Sequence, residues 1–231
     1  MLVQTTEVNE SSPTTLKMSY EAFLAWVDED VRAEWVNGEV VIHMPTKPIH
    51  QITLQFLYEL IVLYTRLFSL GQVLLAPVEM KLKNASREPD LLFVATQNSS
   101  RLTKDKVLGA ADLVVEIVST ESVHRDRRDK FKEYREAGVQ EYWIIDPRPG
   151  KQRADFFSLD EEGDYGLFAT EDDEWMASKV LPGFGLRPAW LWQVDELNPL
   201  TCALEIEGVV EALQAQISQR GQHGQLPTTE N

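Results

Sequence analysis

The chain has little of what several common chemistries require. One cysteine, Cys202, is present in 231 residues. An internal disulfide and a thiolate metal cluster are therefore excluded, as expected of a cytoplasmic protein. Its four histidines include no pair at the helical spacing of a zinc site. It has no Gly-x-Ser-x-Gly, no phosphate-binding glycine loop and no dinucleotide glycine fingerprint. Ser119, His124 and Asp126 lie too close in sequence to form a triad of any known pattern. No apolar run approaches the roughly 18 residues that span a bilayer. The polar, acidic start over residues 1–15 does not read as a signal peptide.

Positive charge is also scarce, with 22 Lys and Arg against 37 Asp and Glu and a net charge of -15. That balance argues against nucleic acid as a partner until its distribution is considered. Residues 160–174 carry 8 acids and no base, and residues 1–40 and 195–231 carry net charges of -6 and -5. Residues 41–159 carry 17 bases and 15 acids, net +2. The acidity is peripheral, and the centre permits phosphate binding.

Hydrophobic content of 43% and 26% charged residues fit a chain that buries a real core. Residues 1–15, rich in Thr, Ser and Glu, read as a disordered lead. Ser19 is a candidate cap for a short helix bearing Tyr20, Phe23, Leu24 and Val27 on one face. Asn37-Gly38 between Glu34–Val36 and Glu39–Ile42 predicts a hairpin with a type I′ turn. The stripe Ile52, Phe56, Leu57, Leu60, Ile61, Tyr64 and Leu67 predicts a helix over about 50–68. Strands are expected at 72–82, 90–95, 112–118 and 141–145, and a helix over about 122–137 ended by Gly138. A second hairpin is expected at 153–159 and 165–169. A weak helix over 204–217 and a loose tail from 221 complete the chain. The expected domains are the lead at 1–15, one domain at 16–195, and a weak helix with an acidic tail at 196–231. Helices alternating with short apolar strands predict a three-layer α/β/α domain around a mixed sheet, with extra β-hairpins.

Two acids stand where acids are costly. Asp90 follows Glu88-Pro89 and opens the apolar run Leu91–Val94, and Glu116 interrupts the run Leu113–Val118. A carboxylate in a buried strand needs a partner or a metal. At 100° per residue, Val123, Ala137, Tyr134 and Asp126 fall within about 40° of Lys130. Lys130 thus sits on the inward face of its helix, while most of its basic neighbours do not. Taken singly, Asp90 reads as the first residue of a strand after a turn, and Lys130 as one half of a buried ion pair. Together, Asp90, Glu116 and Lys130 are the parts of a metal-dependent phosphodiesterase site. His43 and His124 read as incidental.

The set Glu34-Trp35-Val36-Asn37-Gly38-Glu39, Pro45…His50, Pro89-Asp90, Val115-Glu116-Ile117-Val118-Ser119, Asp126…Lys130…Tyr134, Gly138–Asp146 and Leu181-Pro182-Gly183 resembles the putative restriction endonuclease family of the PD-(D/E)XK nuclease superfamily. The resemblance covers about residues 16–193, and its most specific part is Gly138–Asp146 with the upstream Asp126/Lys130/Tyr134 spacing. It implies a restriction-endonuclease-like fold. The superfamily motif places a lysine two residues after the strand acid, where this chain has Val118. The resemblance implies that Lys130 has taken over that role from the following helix.

The residue types then suggest a mechanism. Asp90 and Glu116 offer hard oxygens suited to Mg²⁺ or Mn²⁺, with the Ile117 carbonyl as a third ligand. Lys130 would orient water or stabilise the transition state. Asp126 and Tyr134 would hold Lys130. His50 would contact phosphate or a metal-bound water, although a lone histidine near a helix start is more often a cap or a packed residue. Glu34 would add an acid. The expected function is an endonuclease acting on nucleic acid, DNA before RNA, as a homodimer. The alternatives are a non-catalytic nuclease-fold binding module, and a structural dimer joined through Trp175, Phe184, Trp190 and Trp192, a segment that reads equally as core.

Overall fold

A computed structural model describes residues 16–27, 33–42 and 45–223. The expected lead at 1–15, the tail beyond 223 and His43 lie outside the described residues. In chain order the elements are β1 (Leu16–Lys17), α1 (Tyr20–Trp26), β2 (Ala33–Val36), β3 (Glu39–Ile42), α2 (Pro48–Leu67), β4 (Gly71–Leu75), β5 (Met80–Lys81), β6 (Ala85–Arg87), β7 (Leu91–Ala95), β8 (Val107–Leu108), β9 (Leu113–Ile117), a π-helical turn (Arg125–Lys130) running into α3 (Phe131–Ala137), β10 (Glu141–Asp146), β11 (Arg153–Leu159), β12 (Tyr165–Thr170), β13 (Met176–Ala177), β14 (Gly185–Leu186), α4 (Pro199–Ala203) and α5 (Val209–His223).

Six strands form the central sheet in the order β12-β11-β10-β9-β7-β4. It is mixed: β9 and β10 run parallel, and β7 pairs antiparallel with both β9 and β4. Alternate residues of each strand face opposite layers. On one face Leu91, Phe93, Leu113, Val115, Trp143 and Ile145 pack with Leu57, Leu60 and Ile61 of α2 and with Phe184, Cys202 and Ile206. Each such aliphatic side chain stabilises the fold by about 1.5–3 kcal/mol when fully buried. On the other face Leu92, Val94, Val114, Val118 and Ile144 pack with Tyr134 of α3 and with Met80, Ala85 and Val107. The result is the expected three-layer α/β/α arrangement with an addition. Beside α3, the second layer holds a further six-stranded sheet, β1-β3-β2-β6-β5-β8.

Two expectations need correction. The strand expected over 72–82 is two strands in two sheets, β4 and β5. The apolar run is continuous, but Pro77 has no N–H for the ladder and the chain leaves the central sheet there. The aromatics that motivated a dimer surface are mostly core: Phe184 is 1% and Trp190 6% exposed, and Trp192 is half-buried against the same cluster. Only Trp175 of that group is exposed. The predicted hairpin turn is present, with φ of 49° at Asn37 and 89° at Gly38. Among the described residues no helix is long and apolar enough to cross a membrane.

Candidate functional site

The central strands set the site. In β7 and β9, Leu91 lies opposite Val115 and Leu92 opposite Val114. Continuing that register by one residue sets Asp90 opposite Glu116, on the face shared by Leu92, Val94, Val114 and Val118. Directly opposed residues in such a pair have Cβ atoms about 4.5–5.5 Å apart. The Val118 N–H goes to the Ile145 carbonyl on β10. The Ile117 N–H goes the other way, to Asp90 Oδ2 at 2.8 Å. His50, in the first turn of α2, brings its Nε2 to 3.2 Å from the same oxygen.

Lys130 enters from the opposite layer. Its side chain is 3% exposed, and its Nζ lies 2.8 Å from Glu116 Oε1. It also lies 3.6 Å from Glu34 Oε1 and 3.6 Å from Asp126 Oδ1. The Tyr134 hydroxyl donates to Glu116 Oε1 at 2.8 Å. Tyr142 donates to the Asp126 carbonyl at 3.0 Å, tying the π-helical turn to β10. Helical turns of this wide type recur at functional positions, and here the turn carries both Asp126 and Lys130. Val118, 1% exposed, fills the place of a strand lysine and belongs to the apolar layer.

Every residue singled out from the sequence is thus in one cluster: Glu34, His50, Asp90, Glu116, Ile117, Asp126, Lys130 and Tyr134. Two more, Arg87 and Glu133, were missed. Arg87, 2% exposed, donates from Nη1 to Glu34 Oε2 at 2.9 Å and from Nε and Nη2 to both oxygens of Glu133. The one sequence signal for it was an arginine three residues before Asp90.

Among the described residues the acids of the cluster outnumber its cations. Glu34, Asp90, Glu116, Asp126 and Glu133 face Lys130 and Arg87, and Arg125 acts on Asp126. Glu116 carries the consequence. Burial first, then the charges of Asp126, Asp90 and Glu34, push it up to about 8 against the pull of Lys130. Burial also raises Asp126. Burial alone would raise Asp90, but its bond to His50 and the charges of His50 and Lys130 hold it below its ordinary value. Burial alone would lower Lys130, and the surrounding Glu116, Glu34 and Asp126 hold it well above the ordinary lysine range.

A sequence model described as that of a putative restriction endonuclease, Uma2, matches residues 20–189. The chain belongs to this family. A crystal structure described as a putative nuclease belonging to DUF820, from Anabaena variabilis ATCC 29413, superposes with a TM-score of 0.63 at 15% identity. The match covers 75% of this chain and 97% of that one, and it shows a shared fold. No curated protein matches the chain.

Proposed function

We propose that the protein is a metal-dependent endonuclease that hydrolyses phosphodiester bonds of nucleic acid. The observation that carries this reading is Asp90, immediately before β7, bound to the Ile117 N–H next to Glu116 on β9, with Lys130 2.8 Å from Glu116.

The donor set fits a hard divalent cation. Asp90 has Oδ2 occupied by the Ile117 N–H and His50, and Glu116 has Oε1 occupied by Lys130 and Tyr134. Asp90 Oδ1 and Glu116 Oε2 take no hydrogen bond among the described residues. Two neighbouring carboxylates each keep one oxygen for a cation, in a buried cluster whose described acids outnumber its cations. A strand residue's N–H and C=O point to the same neighbour, so Ile117 turns its carbonyl to the Asp90 side as well. Among the described residues no three His, Cys, Asp or Glu side chains are grouped to hold a metal. The remaining ligands are then backbone, water and substrate phosphate, as Mg²⁺ or Mn²⁺ prefers.

A bound cation of this kind would acidify a water and neutralise charge on the scissile phosphate. Lys130 keeps donors beyond the one given to Glu116, and these orient the attacking water or meet charge growing on the phosphate oxygens. Tyr134 and Asp126 hold Lys130 and Glu116 in place. His50 fixes the Asp90 carboxylate by occupying one oxygen. Residues 41–159 carry a net charge of only +2, so binding to nucleic acid is weak and fades with added salt.

The test is cleavage of duplex and single-stranded DNA and RNA with Mg²⁺ or Mn²⁺, with chelator and Glu116→Ala as controls. Cleavage that needs the metal and disappears in the variant supports the proposal. Absence of cleavage on all substrates returns the fold to the binding-module reading.

A further inference from the structure

Lys130 has three carboxylates to choose from, and only one of them, Glu116, lies on the central sheet. Nζ lies 2.8 Å from Glu116 but also 3.6 Å from Glu34 and 3.6 Å from Asp126. Glu34 is completely buried on β2, so its charge must be met inside the protein. Arg87 is one of the groups that meet it, with Nη1 2.9 Å from Glu34 Oε2. The Glu88 N–H takes the other oxygen at 2.9 Å. The rest of the guanidinium fork grips Glu133 at 2.8 and 2.9 Å. Glu133 follows Lys130 by three residues on the same helix. Arg87 therefore joins the outer sheet, the helix that carries Lys130 and the segment leading into Asp90.

We infer that Arg87 is a positioning residue: by holding Glu34 and Glu133 it keeps Lys130 on Glu116. Without it, Lys130 is drawn toward Glu34, away from the reacting centre. Attraction between buried charges falls off slowly with distance, so a 3.6 Å competitor left without its arginine is a strong one. A lysine cannot replace Arg87, because a single ammonium lacks the planar fork that serves both acids at once. The consequence for rate rests on the nuclease reading above, while the position of Lys130 does not.

The experiment uses two variants of the full chain, Arg87→Gln and the charge-retaining Arg87→Lys. The first readout is taken on metal-free, isotope-labelled protein: the coupling across the hydrogen bond between Lys130 Nζ and the Glu116 carboxyl carbon, assigned by its loss in Lys130→Met. It is expected in the wild type, reduced in Arg87→Lys and gone in Arg87→Gln. The second is cleavage with Mn²⁺, where kcat falls roughly tenfold or more in Arg87→Gln while KM and the Mn²⁺ concentration giving half-maximal rate change by less than about twofold. If Arg87→Gln does not fold, Arg87→Lys decides alone. Folded variants with the coupling and kcat both unchanged overturn the inference and leave Arg87 a structural clamp. If the wild type does not cleave but the variants lose the coupling, the nuclease reading fails and the role of Arg87 stands.

Discussion

Glu116 and Glu141 are both buried glutamates, on the neighbouring strands β9 and β10, and they are built for opposite ends. Glu141 is 0% exposed and has both oxygens filled by neutral donors. Trp143 Nε1 donates at 2.6 Å, Ser178 Oγ at 2.9 Å, and the Lys179 and Val180 N–H groups each at 2.8 Å. It ties the segment after β13 to the central sheet. Glu116, 3% exposed, has one oxygen held by a lysine and a tyrosine and the other left over, among three further acids. Burial of an acid does not mark a site. An unfilled oxygen in a field of like charge does, because only a cation or a proton can relieve it.

The largest effect expected from breaking this contrast is on catalysis. Glu116→Ala removes the proposed cation ligand and should lower cleavage below detection, whereas Glu141→Gln should leave the rate per folded molecule unchanged. Lys130→Met should slow single-turnover cleavage by about 10²–10³-fold, with Mn²⁺ affinity retained, because Lys130 acts on water or phosphate and not on the cation.

Stability should divide the two glutamates the other way. Glu141→Gln leaves at least one donor without its acceptor and should cost about 1–3 kcal/mol in denaturant unfolding. The metal-free wild type should lose stability as pH rises from about 4.5 to about 8, because over that window the folded state holds on Glu116 a proton that the unfolded chain has released. Thermal unfolding at a series of pH values measures this, and Glu116→Gln should flatten the slope. A slope that survives in Glu116→Gln would place the titrating group elsewhere.

The smallest effect belongs to the hydroxyl that touches Glu116. Tyr134→Phe removes one of two donors to Oε1 and should reduce the cleavage rate only a few-fold, about what one hydrogen bond of 0.5–1.5 kcal/mol is worth. A loss as large as that in Lys130→Met would mean that Tyr134 takes part in the chemistry directly.

The two carboxylates and Lys130 were legible in the sequence because they break a pattern. Asp90 and Glu116 interrupt apolar strands, and the helical phase of Lys130 places it among inward residues. Arg87 breaks no pattern. It sits in a three-residue strand after Asn84, and its partners Glu34 and Glu133 are 53 and 46 residues away. Only the fold brings them together. The outer sheet was hidden for a related reason. Apart from the β2–β3 hairpin its strands are two or three residues long, too short to show a period of two. The break after β4 was masked by a continuous apolar run that the chain divides between two sheets.

The central claim is that Asp90 and Glu116 hold one divalent cation. Titration of Mn²⁺ into the protein, followed by the electron spin resonance of the free ion, tests it without depending on cleavage. The account predicts one Mn²⁺ bound per wild-type chain, binding abolished in Asp90→Ala and in Glu116→Gln, and unchanged binding in Glu141→Gln. A wild type that binds no Mn²⁺, or a Glu116→Gln variant that binds it as well as the wild type, would contradict it.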